Sequence, residues 1–337
     1  MSDTQHTERE ADGLAIGEVR RQPAASRTQL RWYVAFVTLA PFAVMIGALC
    51  WMATPGYARR SKDPYFQAIG YGRQLHNAGC QVVIEGDSTA MTGVIPKIIE
   101  QRTGLKTCNI AEIAGVQVIN GMASLDQFLQ NNPRPQFLVF LYVPENLRPP
   151  QNWTTVARFE GVYYRERFFP VTSFLKLIVQ QPEEVIGYGE LGLRTGIQSL
   201  LKSAPPDFMQ MRIADEGRFR ISGETMVDCS TYGLMLNQPD MPWLTHLRQT
   251  YSQGGTKVLI DATPEPPCDP SRPFYAKVLT PAVVDNGLAT LPVDSYTLGG
   301  LLHVNDAGAH LLSEQLANQI AAQIPARRSA SGTGGAH

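Results

Sequence analysis

The sequence predicts an α/β protein: a parallel sheet held between helices, with one transmembrane helix before it and a largely helical insertion. Three observations carry this. β-branched runs alternate with helix-periodic segments on both sides of residue 150, the pattern of strands joined by helical crossovers. One run, residues 136–143 (Gln-Phe-Leu-Val-Phe-Leu-Tyr-Val), is apolar almost throughout, as a strand buried on both faces must be. Residues 32–52 carry no charge, close to the ~20 residues that cross a bilayer.

In chain order, residues 1–31 are polar and lack apolar periodicity, which predicts a disordered cytoplasmic tail. Residues 32–52 form the span, with Trp32, Tyr33 and Trp51 at its ends as interfacial aromatics and Pro41 as a kink. Pro55-Gly56 stops it, and residues 53–63 read as a linker. The main domain is expected over residues 64–325. Its strands are predicted at 81–86, 106–110, 136–143 and 257–261. Val94, Ile95, Ile98 and Ile99 mark the apolar face of a helix ending before Gly104; Val118, Met122, Leu125 and Leu129 mark a second. A last helix covers 307–324. Residues 150–245 interrupt the alternation and read as an insertion over the carboxyl edge of the sheet. It is aromatic around Phe159, Tyr163, Tyr164, Phe168 and Phe169, and helical over 184–202. Those aromatics form either the insertion's own core or a lid facing substrate or membrane. Residues 326–337 are small, polar and expected to be disordered.

Composition bounds the function. A chain of 337 residues with 44% hydrophobic and 18% charged residues builds a sizeable core. A net charge of −1 without a Lys/Arg cluster gives no basis for nucleic-acid binding. Arg20, Arg21, Arg27 and Arg31 before the span outnumber Arg59, Arg60 and Lys62 after it, which favours a cytoplasmic N-terminus. Beyond Cys50 in the span, Cys80, Cys108, Cys229 and Cys268 remain. They permit two disulfides in three connectivities, or four free thiols. Adjacent strands favour Cys80–Cys108, which leaves Cys229–Cys268. No spacing resembles a zinc site, and no metal or organic cofactor is indicated.

Two blocks bear chemistry. Val82-Val83-Ile84-Glu85-Gly86-Asp87-Ser88 ends a strand at a serine that opens a helix, where a backbone N–H is left to face an anion. His303-Val304-Asn305-Asp306-Ala307-Gly308 places a histidine in the turn before the last helix. A serine nucleophile needs such a base for its proton. Read blandly, Ser88 caps a helix and His303 is a polar loop residue beside the capping Asn305. Asp87 adjoins the nucleophile and is expected to organise its loop. His310 lies inside the final helix, and His6, His76, His246 and His337 belong to no motif.

These blocks, with Ser88-Thr89-Ala90-Met91-Thr92-Gly93, resemble the SGNH or GDSL-like serine hydrolase superfamily, in particular its membrane-anchored bacterial members. The likeness covers residues 80–145 and 255–322. It implies a flavodoxin-like three-layer α/β/α sandwich, Ser88 as nucleophile and His303 as base. It implies an oxyanion hole from the Ser88 N–H, the Gly115 N–H and an asparagine amide, for which Val143-Pro144-Glu145-Asn146 offers Asn146. The chain departs from the family where an acid is expected three residues before the histidine: Leu298-Gly299-Gly300-Leu301-Leu302 stands there. Asp294 or Asp261 is then the candidate orienting acid, unless a backbone carbonyl serves.

The resemblance implies a single-pass protein of the bacterial inner membrane with its catalytic domain on the periplasmic or extracellular side. The implied activity is that of an esterase or O-acyltransferase acting through an acyl-serine on acetyl or other esters of envelope glycans. The rival is an inactive domain of this type, kept as a glycan-binding or scaffolding component of an envelope biosynthesis complex. A lipid-acting esterase is a third reading.

Overall fold

Four strands pair in one parallel sheet, β1 (Val82–Gly86), β2 (Thr107–Asn109), β3 (Phe137–Tyr142) and β4 (Lys257–Ala262), in the order β2-β1-β3-β4. The structure is a computed structural model that describes residues 26–52, 71–112, 122–148, 179, 208–229, 236–298 and 302–325. Each strand is found where the apolar runs place it, within one or two residues at either end. β3 is buried along its whole length, because it lies between β1 and β4 and is covered on both faces.

Alternation of side chains divides the core in two. Val82, Ile84, Val139, Leu141 and Leu259 face one side. There they meet α3 (Ser88–Gly93), α4 (Pro96–Thr103) and α9 (Asp306–Gln323). Val83, Leu138, Phe140, Tyr142 and Ile260 face the other. Against that side lie α5 (Ala123–Asn131), α7 (Met241–Tyr251) and α8 (Arg272–Val278). Two short helices are also described, α2 (Tyr71–Gln74) and α6 (Phe208–Ala214). The architecture is therefore α/β, compatible with a three-layer sandwich.

Local chemistry explains two departures from the expected elements. Val94 and Ile95 do not lie on a helix face: α3 ends at Gly93, both residues are extended, and α4 begins at Pro96. Proline disfavours helical backbone in the residue before it and suits the first helical position, so it divides one expected helix into two. Asp240 caps α7 by accepting from Trp243 N, so α7 starts inside the stretch expected to be inserted. Leu244, Leu247 and Tyr251 pack it on the sheet as an ordinary crossover helix. The disulfides are Cys80–Cys108 and Cys229–Cys268. The linker 53–63, the aromatic segment 159–169, the expected helix 184–202, Gly115 and the tail 326–337 lie outside the described residues.

Helix α1 (Arg27–Met52) contains the uncharged run and begins inside the stretch expected to be tail. Large apolar side chains lie exposed along it, Trp32 at 73% and Phe36 at 71%. Among the described residues no helix is long and apolar enough to cross a membrane.

Candidate functional site

Strand order creates the site. From β1 the chain passes to β2 on one side and returns beyond β1 to β3 on the other, so the loops leaving β1 and β3 diverge at their carboxyl ends. Open α/β sheets hold ligands in the crevice at such a reversal. Ser88 is the first residue after the β1 turn and Asn146 lies four residues past β3. Gly86 makes the turn possible, because a Cβ there would stand 2.0 Å from the Leu141 carbonyl oxygen and 2.6 Å from the Ala90 methyl.

Asp87 organises this crevice. It is buried, and its carboxylate accepts four hydrogen bonds. Oδ1 takes Thr89 N at 3.0 Å and Thr89 Oγ1 at 2.6 Å; Oδ2 takes Val143 N at 2.9 Å and Asn146 Nδ2 at 3.0 Å. The first pair caps α3, and the second fastens the turn before Ser88 to the exit of β3. Asp87 therefore holds Asn146 beside Ser88. The N–H of Ser88, at the first position of α3, has no acceptor within its helix.

His303 arrives from the far end of the sequence. Its Nε2 lies 2.9 Å from Ser88 Oγ across 215 positions of chain, and both side chains are partly exposed. Asn305 fixes the loop: its N donates to Ser295 O, its Nδ2 to Asp294 O at 2.7 Å, and its Oδ1 accepts from Gly308 N to cap α9. Gly308 is needed for close approach, since a Cβ would fall 2.2 Å from the Ser295 oxygen. Leu302, just before His303, is buried and held at φ +64°. That left-handed geometry costs a non-glycine residue about 1–2 kcal/mol.

The two candidate orienting acids are engaged elsewhere. Asp294 has an exposed side chain and serves through its backbone carbonyl, which binds Asn305. Asp261, fully buried near the end of β4, accepts from Gln319 Nε2 of α9 at 3.0 Å and leaves Oδ2 without a partner. Burial pushes its pKa up to about 7, with Asp285 adding to the rise. Neither carboxyl is hydrogen-bonded to His303.

A carboxyl group that sequence reading passed over stands beside the crevice. Burial, then the charges of Asp87 and Asp269, raise the Glu145 pKa to about 7. Past β4, burial and Asp269 raise Glu265 to about 8. Asn109 was also passed over. It is fully buried at the end of β2, donates to Ala90 O and Val94 O, and accepts from Ala111 N, which ties α3 to β2. An asparagine at a strand end is too common a turn residue to announce that role. Among the described residues no group of His, Cys, Asp and Glu is arranged to hold a metal. No known family, curated protein or solved structure matches the chain.

Proposed function

We propose that the chain is a serine esterase or O-acyltransferase of the SGNH type. The observation that carries the proposal is the 2.9 Å contact between Ser88 Oγ and His303 Nε2 at the strand-order reversal. With the Nδ1-protonated tautomer, Nε2 takes the hydroxyl proton as Oγ bonds to the ester carbonyl carbon. The Ser88 N–H and the Asn146 amide face the oxyanion, as the resemblance assigns them, with Gly115 as the third donor. Collapse breaks the ester C–O bond, and the leaving oxygen takes the proton from the imidazolium. Water or a sugar hydroxyl then attacks the acyl-serine, with His303 again as base.

The strand order 2-1-3-4 supports the flavodoxin-like three-layer form of the sandwich. The 21 uncharged residues from Trp32 to Met52 within one helix support a single membrane span, about 31 Å at ~1.5 Å per residue. In this reading the catalytic domain sits outside the bacterial inner membrane. An ester of an envelope glycan is the substrate class, by analogy with anchored members of the superfamily.

The test is labelling of the detergent-solubilised full-length chain with a fluorophosphonate, which phosphonylates an activated serine. Labelling that disappears in Ser88→Ala supports the enzyme. Wild-type protein that resists the probe between pH 6 and 9 refutes it and favours the non-catalytic glycan-binding reading. Neither Asp261 nor Asp294 is hydrogen-bonded to His303.

A further inference from the structure

The described part of the expected insertion is laced through the elements that carry Ser88 and His303. α6 and the segment after it run from β2 to the exit of β4, and each stretch bonds to a different part of the site. Arg212, fully buried, donates through Nε to Gly217 O at 2.7 Å and through one Nη to Ala111 O at 2.8 Å and Asn109 O at 3.2 Å. Arg218 follows, 4% exposed. Its Nε donates to Thr92 O at 2.9 Å, and its other arm reaches Asp306 at 2.6 Å. Phe219 N donates to Met91 O.

Farther on, Thr225 bridges Thr297, Met226 N donates to Tyr296 O and Leu298 N donates to Glu224 O. Those partners belong to the base loop, where Thr297 N donates to His303 O and Tyr296 bridges Val304. The Cys229–Cys268 disulfide then fastens the segment beyond β4.

We propose that residues 212–229 are a strap that sets the spacing of Ser88 and His303, with Arg218 as its positioning residue. Thr92 lies in α3, the helix that begins at Ser88, and Asp306 begins α9, three residues after His303. One guanidinium thus joins the short helix of the nucleophile to the helix of the base. Burying it is a poor way to gain stability. Desolvating a guanidinium is costly, and its ionic partner among the described residues, Asp306, is 69% exposed. A rigid planar fork instead fixes two acceptors at a set separation, which an ammonium on a flexible stem does not do. α3 has only six residues, so this external hold on its last carbonyls matters for where Ser88 points.

The inference rests on the catalytic reading above, so its test separates the two. In full-length protein in detergent, Arg218→Lys and Asp306→Asn are compared with wild type by limiting rate of phosphonylation, apparent probe affinity, thermal midpoint and crystal structure. The expected result for Arg218→Lys is a limiting rate about 10–100-fold lower with unchanged probe affinity, as for a displacement on the order of 1 Å. Its Ser88–His303 contact should lengthen beyond hydrogen-bonding reach. Asp306→Asn, which disturbs only the exposed end and answers the question if Arg218→Lys does not fold, should lose about 3–10-fold by the same weakening. A limiting rate equal to wild type in a folded variant overturns the strap. If wild type is not labelled at all, the catalytic reading falls, and the coordinates alone decide: an unmoved Ser88–His303 pair in Arg218→Lys ends the positioning role.

Discussion

Asp87→Asn is the sharpest probe of the crevice, because the geometry dictates its cost. The carboxylate accepts from four donors, two per oxygen, whereas asparagine offers one oxygen and one NH₂. Turned one way, the NH₂ faces Val143 N–H and the Asn146 amide, and Val143 N–H has no way to accept. Turned the other way, it faces Thr89, whose hydroxyl can rotate to accept but whose N–H is left without a partner. The second arrangement is the cheaper one. It leaves one buried donor unsatisfied, about 1–3 kcal/mol, and turns two charge-assisted bonds into neutral ones, about 1 kcal/mol each. The sum is about 4 kcal/mol. For a domain of this size it lowers the thermal midpoint by about 8–16 °C, read by circular dichroism of the detergent-solubilised chain at pH 7. Fluorophosphonate labelling should fall in the same sample, since Asn146 loses its charged anchor. A midpoint within about 2 °C of wild type, with labelling intact, would refute this account of Asp87.

Three further outcomes follow from the same geometry. Because burial lifts the Asp261 pKa from 3.8 to about 7, the folded state holds a proton that the unfolded state has released. The stability this confers is complete below about pH 4 and gone above about pH 7. On the order of 3 kcal/mol is lost between pH 5 and 8, and Glu145 and Glu265 tilt the curve the same way. Asp261→Asn should flatten that decline, and thermal midpoints of the variant and wild type that fall in parallel would contradict it. Gly308→Ala drives a methyl into the Ser295 carbonyl and should cost about 1–3 kcal/mol, with a loss of phosphonylation rate, as the base loop is displaced. Equal melting and labelling would show that the loop yields freely. Replacing Cys229 and Cys268 by serine opens a loop of 39 residues and should lower stability by about 4 kcal/mol on the chain-entropy account. Dithiothreitol, which also reaches the Cys80–Cys108 bridge, should lower the midpoint of wild type by more than that of the variant.

How much of this was legible beforehand depends on the range of each interaction. Strand positions were readable because Val82-Val83-Ile84, Phe137 to Tyr142 and Val258-Leu259-Ile260 are apolar runs with a high share of β-branched or aromatic residues. The final helix was readable from its cap at Asn305. The break at Val94 and Ile95 was missed because their spacing fits a helix, and only the proline that follows excludes it. The serine and histidine blocks were visible as short motifs. The two aspartates nominated to orient His303 bind Gln319 and, through a backbone carbonyl, Asn305 instead.

By itself, then, the sequence determined which segments are strands or helices and which faces they bury, because periodicity and capping are properties of neighbouring residues. The tertiary structure alone decided that Ser88 meets His303, that Asp87 joins two loops and that Arg218 bridges two helices. Those contacts span 215, 56 and 126 positions of chain. They depend on strand order and on which loops share one rim, and no local pattern of side chains encodes either.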